Sequence, residues 1–115
     1  MPDDDCLFCR MASGAMPVEK LYDRDSVFAI SDINPRAPVH TLVIPREHIA
    51  SVQELTHEHG RLLAAVYEAA NEVARAQGVA ERGYRCTFNV GRDGGQTVPH
   101  LHLHVLGGRR LGPEG

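Results

Sequence analysis

The chain has 115 residues, the length of one ordinary domain, and we predict a single domain over residues 1–115. Its 12 basic and 15 acidic residues give a net charge of -3, which excludes a general nucleic-acid binder, because affinity for a phosphate backbone requires clustered Lys and Arg. No segment has the roughly 20 apolar residues of a bilayer span, so no membrane partner is expected.

The N-terminal residues 1–5 are acidic and lead into no long apolar run, which argues against a secretory signal. Three cysteines without an export signal also argue against a disulfide framework. We therefore expect a cytoplasmic protein, in which Cys6 and Cys9 serve another purpose, with metal binding the leading candidate.

The first half of the chain predicts a short helix followed by three strands. Residues 6–13 form the helix, which ends at Gly14. Two β-type runs, residues 19–22 and 26–32, are separated by a hairpin-length turn. After a loop with two prolines, residues 39–44 form the third strand.

The second half predicts one long helix and two further strands. The helix covers about residues 56–77, with Thr56 as its cap and Gly78 as its stop. Its apolar residues form one stripe: Leu62, Leu63, Val66, Tyr67, Ala70, Val73 and Ala74. With strands at residues 84–90 and 98–106, the order predicts an α+β fold, a mostly antiparallel five-stranded sheet with the long helix on one face.

Three alternating histidines mark the last predicted strand. Side chains alternate between the faces of a strand, so His100, His102 and His104 share one side, while the intervening leucines share the other and meet the long helix. Three imidazoles in a row are costly to bury unless a metal or an anion uses them. The preceding glycine-rich segment, residues 89–97, allows close backbone approach to an anion. Together they indicate a phosphate site beside a nucleophile.

Residues 95–109 read GQTVPHLHLHVLGGR, which resembles the signature of the histidine triad (HIT) superfamily. The LGGR ending is similar to that of its Hint branch of nucleoside phosphoramidases. The segments DINPRAPVH (residues 32–40) and LVIPREHI (residues 42–49) also look like family segments. The similarity covers about residues 6–109, which we expect to form the core of a HIT-like fold.

The resemblance implies a role for each matching position. His102 would be the nucleophile that forms a nucleotidyl-histidine, and the hydroxyl of Thr97 would help the leaving group depart. The remaining residues would bind the substrate: His40 and His104 flank the phosphate, Asn89, Gly95 and Gln96 contact it or position the loop, Asp32 holds the ribose, and Leu21, Ile30 and Ile33 line the purine slot. No metal would be needed at the reaction centre.

Cys6 and Cys9 have the C-x2-C spacing of a zinc half-site, which needs two more ligands to close a structural tetrahedron. The resemblance to zinc-bearing members of the superfamily implies that these are His48 and His100. The alternative is that the two cysteines are reduced and unliganded. The Hint branch is typically homodimeric, and the apolar stripe of the long helix is compatible with a dimer interface but does not by itself predict one. The sequence contains no Trp, so it has no counterpart of the C-terminal Trp of the eukaryotic Hint members.

Four functions remain open at this point. The leading one is a purine nucleoside phosphoramidase that releases AMP or GMP. The second is a dinucleoside polyphosphate hydrolase with the same chemistry and a different leaving group. The third is a nucleotide-binding regulatory or scaffolding module. The last is a metal-binding protein that uses all three strand histidines as ligands, in which the Asp32 segment and the glycine-rich loop would have no role.

Overall fold

The computed structural model describes residues 5–114, in which one antiparallel sheet lies between two helices. The five strands are β1 (Tyr22–Asp23), β2 (Val27–Ser31), β3 (Val39–Pro45), β4 (Tyr84–Thr87) and β5 (Leu103–Gly107). Their spatial order is β1-β2-β3-β5-β4, so that β3 and β5 lie next to one another at the centre. The predicted α+β fold with a five-stranded antiparallel sheet is confirmed.

The N-terminal helix α1 (Leu7–Ser13) covers part of one sheet face. The Cys6 Sγ accepts a hydrogen bond from the Cys9 backbone N–H at the start of α1, and Gly14, with φ of 87°, ends it in the left-handed conformation. Phe8 and Met11 pack against the side chains that β2 and β3 direct to this face. These are Phe28, Ile30, Leu42 and Ile44.

The long helix α2 (Gly60–Ala76) covers the opposite face. The alternate residues of the strands point there, so that Leu103 and Val105 of β5 lie in one core with Val66, Ala70 and Val73 of α2. Gly78, with φ of 78°, follows the helix as predicted. The long helix begins later than predicted because a 3₁₀ turn, His57–His59, occupies its first residues, and Thr56 caps this turn. Another 3₁₀ turn, Val52–Glu54, lies before the predicted helix.

The last strand is also shorter than predicted, since it begins at Leu103 rather than Val98. Pro99 has no N–H to donate to a sheet, and the His100 amide donates to the Val98 carbonyl at 2.8 Å in a tight turn. The Leu101 amide then donates to the carbonyl of Ile49. Strand β4 ends at Thr87 instead of Val90, and β1 contains only the last residue of the predicted run.

Residues 1–4 of the acidic N-terminal segment, and Gly115, lie outside the described residues. Within residues 5–114, no helix combines the length and the apolar character needed to cross a bilayer.

The central position of Leu103 predicts a large stability loss on truncation. Its side chain is fully buried (0 % exposed), so we expect Leu103→Ala to lower the free energy of unfolding by about 3 kcal/mol through lost burial and the remaining cavity. Urea denaturation measures this loss. The matched control is Leu21→Ala, whose side chain is 37 % exposed and should cost less than about 1 kcal/mol. Equal losses for both variants would contradict the assignment of the core.

Candidate active site

A cavity of about 500 Å³ opens beside α1, on the sheet face that α2 does not cover. Its volume suits a nucleotide-sized ligand, and most of its wall is apolar. The residues that line it are Leu7, Phe8, Met11, Ile30, Ser31, Asp32, Ile33, Asn34, Arg36, Leu42, Asn89, Gly95, Thr97, Val98, His102 and His104.

The cavity gathers most of the site residues predicted from the sequence. Eight of them line it: Ile30, Asp32, Ile33, Asn89, Gly95, Thr97, His102 and His104. His40 lies behind the wall, in contact with His104, and Leu21 is not among the lining residues. Gln96 also stands outside the lining, where its side-chain amide donates to the Ala50 carbonyl at 2.7 Å and accepts from the Gly91 N–H. The geometry of Gln96 therefore corresponds to positioning of the loop.

Sequence reasoning missed two notable members of the cavity wall. Phe8 lies between the two cysteines, and its ring contacts His102 at a centroid distance of 5.1 Å. Its apolar character at a helical position was the only signal. Arg36 also lines the cavity, and its place in a loop with two prolines gave no indication of this.

The ring of His102 is held in one tautomer by the backbone. Its Nδ1 lies 2.7 Å from the carbonyl oxygen of His100, which can only accept a hydrogen bond. Nδ1 therefore carries the proton, and the lone pair is on Nε2. A neutral imidazole with its lone pair on a known nitrogen is the form that can attack an electrophile.

A second chain of hydrogen bonds orients His40 and His104. The Arg36 backbone N–H donates to His40 Nδ1 at 3.1 Å, so the proton of His40 is on Nε2. This Nε2–H lies 2.9 Å from His104 Nδ1 and 3.3 Å from a carboxylate oxygen of Asp32. His104 accepts on Nδ1 and carries its proton on Nε2, which makes it a hydrogen-bond donor in the cavity wall.

Burial keeps these rings neutral. Removal from water lowers the pKa of His40, His102 and His104 below the usual value for histidine. For His104 the pKa falls to about 4, because burial is reinforced by the neighbouring His102, His40 and Arg36. Neutral His102 and His104 meet the requirements for a nucleophile and a hydrogen-bond donor near pH 7.

The glycine-rich loop has a fixed shape. A Cβ on Gly94 would lie 2.3 Å from the Val90 carbonyl oxygen, and Gly95 has a φ of +85°, so neither position accepts a side chain without rearrangement. The Asn89 side-chain amide donates to the Gly94 carbonyl at 2.8 Å. The amides of Gly95 and Gln96 donate to the carbonyls of Arg92 and Gly91 within the loop. The loop is therefore braced internally, with Thr97 at its cavity end.

A separate cluster at the N-terminus of α1 contains the four residues predicted as metal ligands. Cys6, Cys9, His48 and His100 place one ligand atom each within 4.8 Å of all the others. Cys6 Sγ lies 3.2 Å from His100 Nδ1, Cys9 Sγ lies 3.2 Å from His48 Nδ1, and the two Nδ1 atoms are 3.2 Å apart. None of the three cysteines, all within the described residues, forms a disulfide.

The chemistry of this donor set fits a tetrahedral metal. Zinc bonds to nitrogen and sulfur imply tetrahedron edges of about 3.3 Å between two nitrogens and about 3.6 Å between nitrogen and sulfur, close to the separations in the cluster. His100 Nε2 donates to the Pro45 carbonyl at 2.8 Å, which leaves the lone pair on Nδ1 toward the cysteines. The cluster can therefore bind a metal ion.

Asp32, His40 and His104 also lie close enough together to suggest a metal site. Their hydrogen bonds argue against it. A metal on His40 Nε2 would leave the proton on Nδ1, directed at the Arg36 N–H, so two donors would face each other.

The three histidines of the HLHLH segment lie in two different places. His100 belongs to the cysteine cluster, whereas His102 and His104 line the cavity, so the three rings do not gather around one point as a three-histidine metal site would require.

Comparison with known proteins identifies the family. The model of the HIT domain matches residues 13–111. The chain belongs to the HIT family. It is 40% identical over 110 residues to the purine nucleoside phosphoramidase of Escherichia coli K12, covering 96% of this chain and 92% of the relative.

Two solved structures share the fold of the chain. A HIT family hydrolase from Legionella pneumophila superposes with a TM-score of 0.94 at 43% identity, covering 96% of this chain and all (100%) of the other. A histidine triad protein from Clostridium difficile has a TM-score of 0.93 at 38% identity, with 98% of each chain covered. The fold and the family are thus those that the HLHLH motif and its flanking segments indicated.

The environment of His104 predicts an unusually low pKa for its ring. With a folded pKa of about 4 against 6.5 in an unfolded chain, the unfolded state binds more protons between these values. The contribution of His104 to stability is therefore complete above pH 6.5 and is lost as the pH falls toward 4. A ¹⁵N NMR titration of the histidine rings measures the pKa directly. Protonation of His104 near pH 6.5 in the folded protein would contradict this prediction. In the His104→Gln variant, the free energy of unfolding in urea should depend less on pH between pH 4 and pH 6.5 than in the wild type.

Proposed function

We propose that this protein is a nucleotide hydrolase of the histidine triad type, and specifically a purine nucleoside phosphoramidase that releases AMP or GMP from a purine nucleotide conjugate. The observation that carries the proposal is the orientation of His102. Its Nδ1–H is fixed on the His100 carbonyl, which leaves Nε2 as the nucleophilic atom of a buried ring in the cavity wall. The activity named for the Escherichia coli relative supports the same reaction.

In the first step, His102 Nε2 attacks the α-phosphorus of the conjugate. A bond forms between Nε2 and phosphorus, the P–N bond of the substrate breaks, and its electron pair leaves with the amine nitrogen, which takes up a proton from solvent. The product is a nucleotidyl-His102 and a free amine. The positive charge that develops on His102 is shared with the His100 carbonyl through the Nδ1–H.

In the second step, water attacks the same phosphorus. The P–N bond to His102 breaks, its electron pair returns to Nε2, and the water proton is lost as the nucleoside monophosphate departs. Two displacements at one phosphorus replace a single difficult one. The free enzyme is regenerated with His102 in its original tautomer.

The residues around His102 would stabilise charge on the phosphoryl oxygens. His104 would donate from Nε2, an orientation held by His40 and by the Arg36 backbone. Asn89, Gly95 and Thr97 form the adjoining wall, and the Thr97 hydroxyl would assist the departing nitrogen. His104, the Asn89 amide and the Thr97 hydroxyl would supply this stabilisation without a metal at the reaction centre.

The part of the cavity that is lined by Ile30, Asp32 and Ile33 would hold the nucleoside. Asp32 would accept hydrogen bonds from the ribose hydroxyls, and its side chain is already fixed by a bond from the Asn34 N–H at 2.8 Å. Ile30 and Ile33 would contact the purine together with Phe8. Ile33 is 91 % exposed, so a bound base would cover apolar surface that is otherwise in water.

The nucleophile can be tested by substitution. Because His102 is the only group to which we assign bond formation, His102→Ala should lower kcat for an adenosine 5′-phosphoramidate by at least about 10³-fold. Release of AMP, followed by chromatography, gives the rate, and mass spectrometry of the wild-type protein after a rapid quench in alkaline denaturant, which preserves a P–N bond to histidine, should show an added nucleotidyl group. The matched control is the exposed His57, whose substitution by Ala should leave the rate unchanged.

Equal turnover by wild type and His102→Ala would remove His102 as nucleophile. The same assay separates the alternatives. Faster cleavage of diadenosine tetraphosphate than of the phosphoramidate would favour a dinucleoside polyphosphate hydrolase. Tight AMP binding with negligible turnover of either substrate would favour a regulatory or scaffolding module.

We also propose that the metal of the cysteine cluster is a structural zinc ion, held by Cys6, Cys9, His48 and His100. It would contribute no step of the reaction and would fix α1 to the segment that carries His102. A cytoplasmic location would keep both thiols reduced and available as ligands.

The zinc assignment predicts about one zinc per purified chain, measured by plasma mass spectrometry. Cys9→Ser should lose the metal and lower the melting temperature by more than about 10 °C, because metal binding is coupled to folding. Cys86→Ser is the control, since Cys86 lies in β4 away from the cluster and should retain the metal. A wild-type protein purified without chelator that contains almost no zinc would refute the site.

A homodimer is the assembly we propose. Strand β4 lies at an edge of the sheet, and within residues 5–114 it pairs with β5 alone. Tyr67 on α2 is 44 % exposed beside this edge. Its ring meets the ring of Phe88 edge to face, with the centroids 6.3 Å apart. A second copy could extend the sheet along β4 and cover Tyr67.

Sedimentation equilibrium should therefore give twice the chain mass. Tyr67→Arg should shift the protein toward monomer, because it places a charge in the proposed interface. The control Leu21→Arg changes an exposed residue outside β4 and α2 and should remain dimeric. A monomeric wild-type protein at micromolar concentration would exclude this assembly.

A further inference from the structure

A second cavity of about 370 Å³ adjoins the nucleotide cavity. The two cavities have three lining residues in common, Arg36, Asn89 and His104, and His102 lines only the first. Two of the shared residues, Asn89 and His104, are among those that we place beside the phosphoryl group. The second cavity therefore begins where the nucleotide cavity ends, on the side of His104.

The second cavity is basic, although the chain has a net charge of -3. Three arginines line it, Arg36, Arg85 and Arg109, and among its described lining residues Glu114 is the one acidic side chain. The guanidinium of Arg109 is positioned by a bond to the Arg36 carbonyl at 2.9 Å. Such a concentration of arginine side chains at one cavity attracts anions.

The chain itself places a carboxylate at these arginines. Glu114 Oε2 lies 3.1 Å from Arg85 Nη2, and the same nitrogen donates to the Gly112 carbonyl at 2.6 Å. The Glu114 side chain is 79 % exposed, so this ion pair is weak and can be displaced by a better-placed anion. The pair shows that Arg85 is within reach of a carboxylate at this cavity.

We propose that the second cavity receives the leaving group of the reaction and selects amines that carry an anionic substituent, a carboxylate or a phosphate. This inference rests on the proposed function, because it assigns a leaving group to the same phosphorus. Arg85 and Arg109 are the specificity-determining residues, and they bind the anion of the amine in the intact conjugate. They take no part in bond breaking.

The chemical step is unchanged by this selection. Nε2 of His102 bonds to phosphorus, the P–N bond breaks, and the amine nitrogen leaves with the electron pair and one proton. The anionic substituent keeps its charge throughout, so its interaction with the arginines orients the amine before and during departure. No additional reactant is required.

Two matched substrate pairs test the charge preference. The first pair consists of the adenosine 5′-phosphoramidates of β-alanine and of β-alanine amide, which differ in a carboxylate. The second pair consists of those of O-phosphoethanolamine and of ethanolamine, which differ in a phosphate. For wild type we expect kcat/KM to be about 10-fold higher for the charged member of at least one pair, the size expected for a charge-assisted hydrogen bond. The pair that shows the preference identifies the anion.

Substitution of the arginines should remove the preference selectively. Arg85→Gln and Arg109→Gln should each lower kcat/KM for the charged conjugate by about 5-fold and change the neutral conjugate by less than about 2-fold. The neutral conjugate thus reports whether each variant remains folded and active. The matched control is Arg110→Gln, because Arg110 follows Arg109 in the chain and does not line this cavity.

Equal kcat/KM for both members of both pairs in wild type would overturn the proposal. So would a fall in kcat/KM that is the same for charged and neutral conjugates in the arginine variants. If wild type cleaves no conjugate, the proposed function fails separately, and titration calorimetry of the conjugates with His102→Ala protein decides the subsite. Tighter binding of a charged conjugate, weakened by Arg85→Gln in that background, would uphold the subsite, and equal dissociation constants would overturn it.

Discussion

The hydrogen bond from His102 Nδ1 to the His100 carbonyl is the interaction on which the rest of the site depends. It selects the tautomer of the His102 ring and directs its other nitrogen away from the backbone. The acceptor belongs to a residue that is itself immobilised, since the His100 ring bonds to the Pro45 carbonyl and faces both cysteines. One residue therefore connects the cysteine cluster to the ring that we propose as the nucleophile. A shift of His100 would be transmitted to His102 through a single carbonyl group.

The other two cavity histidines obey the same principle by a different route. The Arg36 amide fixes the proton of His40, and His40 fixes that of His104. Both sets of hydrogen bonds, the one to His102 and the one through His40 to His104, start at a backbone group and end at a ring nitrogen. Because burial also lowers the pKa of these rings, their protonation states at neutral pH follow from the fold and do not need a charged partner. The site is organised for reaction before any ligand arrives.

The sequence predicted the architecture and half of the cavity wall, because these follow from local periodicity and a specific motif. The alternation in HLHLH correctly separated the histidines from Leu103 and Val105, which pack on α2. It failed over residues 98–102, where a turn at Pro99 and a bond to Ile49 replace a regular strand. Those contacts join distant parts of the chain, and no local pattern reports them. For the same reason neither Phe8 nor the arginines of the second cavity could be recognised before the fold was known.

The helix α1 has only seven residues, yet it supplies Leu7, Phe8 and Met11 to the nucleotide cavity. A helix of this length has little intrinsic stability in water, so its place on the sheet depends on Phe8 and on the cluster that holds Cys6 and Cys9. The sheet and α2 have a separate core, in which neither cysteine takes part. Oxidation of Cys6 or Cys9 would therefore disturb the α1 wall of the cavity before it unfolds the sheet, because the core between the sheet and α2 contains neither cysteine.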